Sequence, residues 1–469
     1  MQHSRAFQRF RYLREAFYGE GGFDPVVVSE DQPVTVTLGD GTTTTAYRRV
    51  PKIAGICHLA QHPRETPERY ASRAEMAVYE NHLREACERF VGFLSRRRPL
   101  RSETQAPLTQ LLLANADMRG NSLDAFFAEF ALKAKAYGSM LLLLDMPSAA
   151  PAESMADQIA RRAVPYLSAV DPENVKAFEI SESGRFEWVE IQTFEDAGDG
   201  EGMRILVRRW DSKEWSIKDQ VGKVIRSAPH GFNSCPVVPF TESGMKFPCL
   251  GKYAQVADLS KAIYNHRSRL DELLAGQTFS ILTFQIPQNT SQPNPAAFTA
   301  SVGVNSMLPY PGERPDFVSP DQGNAETHLK VIAECQAAIR RITQDDAASD
   351  TTAGVESGLA RKVRFERLNA ELSSFALRMQ QLEMEMWRLF ASATGTESRV
   401  SVAWPTDFNL VDSVTELSIL AEMQNTGFPD QVLAAKRTAI VASEFDSVDE
   451  AEKSALIASV VEQAQQPKK

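Results

Sequence analysis

Apolar positions recur at alternating spacings of three and four from Phe365 through Leu368, Leu372, Phe375, Met379, Leu382 and Met386 to Leu389. That spacing lays one apolar stripe along one face of a helix of about eight turns. Between the stripe positions fall Arg364, Glu366, Arg367, Asn369, Glu371, Arg378, Gln380, Glu383, Glu385 and Arg388, which are expected to face water. Two shorter helical patterns precede this one. Lys252 to Ala275 carries Val256, Leu259, Ile263, Leu270, Leu273 and Leu274 in register, with Gly276 as its stop. Ala325 to Thr343 carries Leu329, Ile332, Cys335, Ile339 and Ile342. A strand-and-loop insert separates the two, with Phe279 to Ile286, a polar stretch from Pro287 to Pro295, and Met307-Leu308-Pro309-Tyr310. Between the second helix and the long one, Asp345 to Gly354 is a polar, small-residue loop with no apolar anchor before Val355. A loop of that composition wedged between helices is commonly functional.

Upstream, the periods change. Residues 4–18 read as a short amphipathic helix, and Val34 to Leu38 and Thr43 to Tyr47 flank Gly39-Asp40-Gly41 as a hairpin. Pro67 to Leu94 reads as one helix carrying Tyr70, Met76, Tyr79, Leu83, Cys87, Phe90, Val91 and Leu94 inward, stopped at Arg96-Arg97-Arg98-Pro99. Ser122 to Tyr137 is a second helix with Ser122 as N-cap and Gly138 as terminator, and Met140 to Leu144 a buried strand. Antiparallel strands are expected at Phe178 to Ile180, Phe186 to Thr193, Arg204 to Arg209 and Trp215 to Ile217, and Pro236 to Phe240 closes this α+β region. Arg399 to Trp404 reads as a strand. The remainder from about 411 is helical and acidic, broken at Gly427-Phe428-Pro429; residues 406–469 hold 11 Asp and Glu against 5 Lys and Arg.

A chain of 469 residues exceeds one ordinary core and should divide into about two to four units. Its formal charge of −10 argues against a protein that coats nucleic acid by neutralising phosphates. An acidic chain can still surround DNA without gripping it, because net repulsion keeps a passing polyanion from sticking. The cysteines, Cys57, Cys87, Cys235, Cys249 and Cys335, are scattered and form no CxxC pair, so neither a disulfide framework nor a zinc ribbon is indicated. The first residues alternate arginine with other types and contain no apolar signal core, so cytosolic synthesis is expected.

Catalytic motifs are absent where they would be looked for. There is no GxxxxGK[ST] run, and Gly354-Val355-Glu356-Ser357-Gly358 places its serine one position late for a nucleophile elbow. Helix entry explains that stretch better. His58 and His62 form an i, i+4 pair without a third ligand, and Asp345, Asp346 and Asp350 read as a solvated run, so no metal site is expected. Arg340-Arg341 and Arg361-Lys362 bracket the polar loop. They either solvate helix ends or line a nucleic-acid path, and residue chemistry leaves both open.

Taken in order, several motifs resemble the portal proteins of tailed bacteriophages. Gly251-Lys252-Tyr253-Ala254-Gln255-Val256-Ala257-Asp258-Leu259 through Asn265 is similar to the helix that opens the portal stem. Glu356-Ser357-Gly358-Leu359-Ala360-Arg361-Lys362 is similar to the signature that begins the long kinked portal helix. Tyr137-Gly138-Ser139 through Asp145 resembles a strand of the portal wing, Thr66 to Pro99 its early helix, and Pro405-Thr406-Asp407-Phe408 the passage into the crown.

The resemblance implies an α+β, multidomain portal-type fold. It assigns a wing to residues 1–251 and 359–410, and stem helices to 252–276 and 325–344. A small β-containing clip falls at 277–324, a tunnel loop at 345–358 and a helical crown at 411–469. It further implies a homo-oligomeric ring, usually of twelve subunits, at one capsid vertex of the virion. Such a ring passes double-stranded DNA during packaging and ejection, and meets terminase, a head–tail adaptor and the capsid or scaffold protein. No enzyme activity, cofactor or membrane is implied. The DNA-facing tunnel residues would be Asp350, Thr351, Thr352, Ala353, Gly354, Val355 and Glu356, with Arg340, Arg341, Arg361 and Lys362 beside the path. The partner-binding clip residues would be Gln288, Asn289, Gln292 and Asn294. The competing expectations are another ring protein of a virion, a hydrolase using Ser357 with His328 or His266, and a coiled-coil scaffold. The strand-rich 165–240 region argues against the last.

Overall fold

The computed structural model describes residues 2–37, 42–147, 154–196, 203–278, 281–285, 307–310, 316–318, 322–344, 358–396, 399–408, 413–444 and 458–459. The chain begins with α1 (Gln2–Tyr18), whose Phe10, Leu13 and Phe17 are buried at helical spacing. It continues into β1 (Val26–Thr37) and β2 (Thr43–Ala54), an antiparallel hairpin pairing Val26 with Ala54 and Thr37 with Thr43. The hairpin is far longer than the alternation around Gly39 suggests.

The single helix expected from Pro67 to Leu94 is two: α2 (Pro67–Met76) and α3 (His82–Leu94). Ala77 is extended, and Asn81 caps α3 by accepting from the Arg84 N–H at 3.0 Å. The interruption serves Tyr79. Its ring lies 4.1 Å from that of Phe23, and its hydroxyl donates to the Ala16 carbonyl at 3.0 Å. Met76, expected inward, is exposed as a consequence.

Next come β3 (Leu100–Ser102), α4 (Pro107–Ala114), α5 (Leu123–Tyr137), β4 (Ser139–Asp145), α6 (Met155–Arg161) and β5 (Tyr166–Val170). As expected, Ser122 accepts from the Ala125 N–H at 3.3 Å, and Gly138 ends α5 at φ +80°. Five antiparallel strands follow as a meander: β6 (Val175–Ile180), β7 (Phe186–Asp196), β8 (Met203–Trp210), β9 (Glu214–Lys218) and β10 (Val224–Pro229). Then β11 (Val237–Thr241) returns to pair with β4, giving a three-stranded sheet ordered β11-β4-β5.

β4 explains the leucine run. Met140, Leu142 and Leu144 face the main core with α5 and the long helix, while Leu141 and Leu143 face a second core with Val189, Trp210 and Phe247. A strand buried on both faces has no polar alternation to show.

The chain then enters α7 (Ala254–Thr278), passing through Gly276 rather than stopping there. β12 (Ile281–Gln285), β13 (Met307–Tyr310) and β14 (Asp316–Val318) form a small sheet ordered β13-β12-β14, with β12 parallel to β13 and antiparallel to β14. It leads into α8 (Gln322–Thr343) and, after the 345–357 stretch, into α9 (Gly358–Thr394), a helix of 37 residues. β15 (Ser401–Ala403) pairs with β3, and α10 (Ser413–Asn425) and α11 (Asp430–Glu444) follow. The α9 stripe is buried from Leu368 to Leu389 as the spacing requires. No helix among the described residues is long and apolar enough to cross a membrane.

Candidate functional site: a helix pair and the buried charges at its base

α7 and α8 pack against each other, and three contacts fix their direction. Lys252, just before α7, and Gln344, just after α8, both reach the same carboxylate, Glu371 of α9, at 2.7 and 3.1 Å. Further along, His266 of α7 and His328 of α8 meet with their Nδ1 atoms 2.9 Å apart. The two helices are therefore antiparallel, with the small sheet β12–β14 inserted at the far end. Near the base the pair is rooted in the core through Val256, Ala257, Ile263, Ile332 and Ile339. Leu274 and Leu329, expected inward, are exposed instead.

The base is built on a lysine in an apolar stripe. Lys135 lies on the same face of α5 as Phe127 and Ala131 and is fully buried, its ammonium 4.0 Å from the centre of the Phe90 ring and 4.2 Å from that of Tyr253. A cation there needs compensation. Glu242 supplies one carboxylate at 2.5 Å and Glu371 another at 2.6 Å. Burial pushes the Glu371 carboxyl up, but Lys135 and Lys252 outweigh it and hold the group below the usual carboxylate range. Glu371 thus ties α5, the entry of α7 and the exit of α8 to the long helix.

Backbone geometry closes the same corner. A Cβ on Gly138 would stand 1.9 Å from the Gly251 nitrogen, and the Gly251 N–H donates to the Tyr137 carbonyl at 3.1 Å. Two of the sequence motifs, around Tyr137-Gly138 and Gly251-Lys252, therefore meet across this contact.

About three turns further along α9, Glu383 is wholly buried. It accepts from Arg101 at 2.5 Å, from the Trp404 indole at 2.8 Å and from the Trp387 indole at 3.2 Å, while Arg101 also reaches Asp124 at 2.6 Å. Glu371 and Glu383 were both expected to face water and do not. They sit between stripe positions, and helical spacing alone cannot tell a wet flank from one covered by a second element. Lys135 was missed as well, although a lysine between Ala134 and Ala136 in a phenylalanine-rich helix is a readable signal.

Arg340 and Arg341 are exposed on the last turn of α8, where cations suit the helix dipole. Arg361 and Lys362 lie in the first turns of α9; nothing is described of their side chains. The tunnel-loop residues Asp350 to Glu356 and the clip residues Gln288, Asn289, Gln292 and Asn294 lie outside the described residues, as does Ser357. His266 and His328, named as partners for that serine, contact each other.

His58 is half-buried against the rings of Phe23 and Tyr12 and bonded to Glu15 at 2.8 Å, whereas His62 accepts from the Arg64 N–H. The i, i+4 pair is therefore split between a core histidine and a loop histidine. Among the described residues no group of three His, Cys, Asp or Glu could hold a metal ion.

No family model matches the chain, and no curated protein matches it. Solved structures do. A chain of the native gene transfer agent virion is 12% identical with a TM-score of 0.41, covering 79% of this chain and 92% of its own. A chain from the neck of the native gene transfer agent particle, computed with C12 symmetry, is 11% identical at a TM-score of 0.41, with 81% and 95% covered. The HK97 family phage portal protein from Corynebacterium diphtheriae is 9% identical at a TM-score of 0.38, with 69% and 92% covered.

Proposed function

We propose that this chain is a subunit of a portal-type ring, the channel through which double-stranded DNA enters and leaves a capsid. The observation that carries the reading is the order of elements around Glu371. An antiparallel helix pair bearing a small sheet at its far end is followed by a polar loop and then a 37-residue helix anchored at the pair's base. This is the sequence of parts that the portal motifs call for. Residues 1–251 and 359–410 then form the wing, α7 and α8 the stem, 277–324 the clip, 345–358 the tunnel loop, and α10 with α11 the crown.

A closed ring needs two different faces on each subunit. On α9, Leu377 and Met384 are exposed and lie seven residues apart, so a second apolar strip runs on the side away from the core stripe. That strip and the exposed Leu274 and Leu329 are candidate contacts with neighbouring copies. Arg361 and Lys362 stand near the positive end of the α9 dipole, where cations are disfavoured by ~0.3–1 kcal/mol. Capping does not account for them, which favours a place beside the DNA path. The acidic chain and the uncharged Thr351-Thr352-Ala353-Gly354 suit a channel that must let DNA slide. Terminase, a head–tail adaptor and capsid protein are the partners this role requires.

Native mass spectrometry with negative-stain imaging of the purified protein tests the reading. A particle of about twelve copies with a central hole is expected. A monomer that stays monomeric when capsid and scaffold protein are added refutes it. Shortening Asp345 to Gly358 should impair packaging or DNA retention and leave the ring intact; collapse of the ring would make that loop a packing element instead.

A further inference from the structure

A cavity of about 540 Å³ opens beside α9, C-terminal to Glu371, walled by the β6–β7 turn, β11 and the 243–247 turn. Its floor is apolar, with Phe186, Leu382 and Leu389, all buried. Its walls are cationic: Arg185, Lys246, Arg378 and Arg388 line it, against the single carboxylate of Glu385. Glu385 pairs with two of them, Arg185 at 2.7 Å and Arg388 at 2.8 Å.

Arg378 is left over. Its guanidinium bonds only the Gln381 amide oxygen, at 3.1 Å, and has no carboxylate partner among the described residues. It is nevertheless seated. Gly244, at φ +69°, would bring a Cβ to 2.3 Å from the Arg378 Nη2, so the guanidinium packs directly over the bare backbone of this turn.

We propose that the cavity docks an acidic peptide segment of a partner protein, with a carboxylate on Arg378 and a large apolar side chain on the floor. Three features select this occupant. Guanidinium forks bind carboxylates bidentately. The volume lies in the range of sites that enclose a few side chains. A buried apolar floor offers nothing to a phosphate backbone, which instead needs a row of cations along a surface. Placed beneath four cations and one carboxylate, the floor can hold an aromatic or aliphatic anchor while the walls neutralise its acidic neighbours. The proposal does not depend on the ring reading.

The test is fluorescence anisotropy of a labelled heptapeptide, Asp-Glu-Asp-Phe-Glu-Asp-Glu, on the full chain. Saturable binding is expected. Arg378→Gln should weaken it about tenfold or more, as the loss of a charged hydrogen bond does. Gly244→Ala, which displaces Arg378 without touching its charge, should weaken it similarly, and Lys223→Gln, on the distant β9–β10 turn, should leave it unchanged. Thermal melts of each variant check that the fold survives, and Arg378→Lys gives a second, charge-retaining variant expected to bind more weakly than the wild type. Equal affinity for the peptide with its Phe replaced by Gly overturns the proposal, since the floor would then be idle. So does displacement of the peptide by millimolar inorganic phosphate or by a short DNA duplex, which would make the cavity a phosphate or nucleic-acid site. Absence of saturable binding overturns it outright.

Discussion

Replacing Lys135 by Met is the most informative perturbation of the base. Methionine fills a similar volume against Phe90 and Tyr253 and removes only the charge. Two carboxylates then lose their shared cation in a site where that ammonium is fully buried. Breaking a buried pair by removing one partner costs ~3–5 kcal/mol. Glu371 retains Lys252 and Gln344, and Glu242 is close enough to solvent to rehydrate in part, which places the expected loss near the lower end, about 3 kcal/mol. That corresponds to a rise of roughly 150-fold in the open population. Because a chain of 469 residues with two hydrophobic cores is outside the range where two-state unfolding is the rule, the assay is native-state amide exchange read on α5 and α9 rather than a global melt. Adding Glu242→Gln and Glu371→Gln to Lys135→Met should restore most of the protection, since the neutral set no longer strands a charge. Acid should narrow the gap between wild type and Lys135→Met. The Glu371 carboxyl is held below its usual range, so its contribution is complete above about pH 4.5 and lost as pH falls through the lower, folded-state value. If amide exchange on α5 and α9 is the same in Lys135→Met as in wild type, the pairing only breaks even and the argument from burial is wrong.

Other outcomes follow from the same geometry. Glu383→Leu should leave Arg101 with Asp124 as its one carboxylate among the described residues and two indole N–H groups unpaired, lowering stability by about 3 kcal/mol and shifting Trp387 and Trp404 emission; unchanged emission contradicts the arrangement. Gly138→Ala combines a left-handed φ with a Cβ driven into the Gly251 backbone and should abolish soluble expression, while Gly184→Ala, also at positive φ but with open space around it, should cost only ~1–2 kcal/mol. Acidification should loosen α7 from α8. Burial, then the neighbouring His328 and Arg269, lower the His266 pKa, so its contribution is full above about pH 6.5 and lost as pH falls below it. Amide exchange along α8 should accelerate as pH falls below about 6.5 in the wild type and respond less in His266→Gln; an identical pH response in both would place the acid-sensitive group elsewhere.

The frame was readable because its signals are local. Ser122 and Gly138 bracket α5 through a hydroxyl and a positive φ, and both are visible as residue types. The α9 stripe and the β6–β9 strands needed only their periods. What stayed hidden depends on partners far away in sequence. The break at Ala77 exists for a tyrosine ring that meets Phe23. The burial of Glu371 and Glu383 is decided by Lys135 and Arg101, more than two hundred residues upstream. The cationic cavity joins Arg185 to Glu385 across 200 residues, and no spacing rule reaches that far.

The two-sided burial of β4 has a consequence for synthesis. Its partner β5 emerges soon after it, but β11, which covers its other edge, ends only at Thr241, about 100 residues later. At roughly 5–20 residues per second the ribosome leaves one edge of Met140-Leu141-Leu142-Leu143-Leu144 unpaired for about 5–20 s. A short, uncharged, strand-prone run exposed for that long is a template for association between nascent chains. Yield in a heterologous host should therefore depend on holdase chaperones and on translation speed between residues 145 and 241, before any question of ring assembly arises.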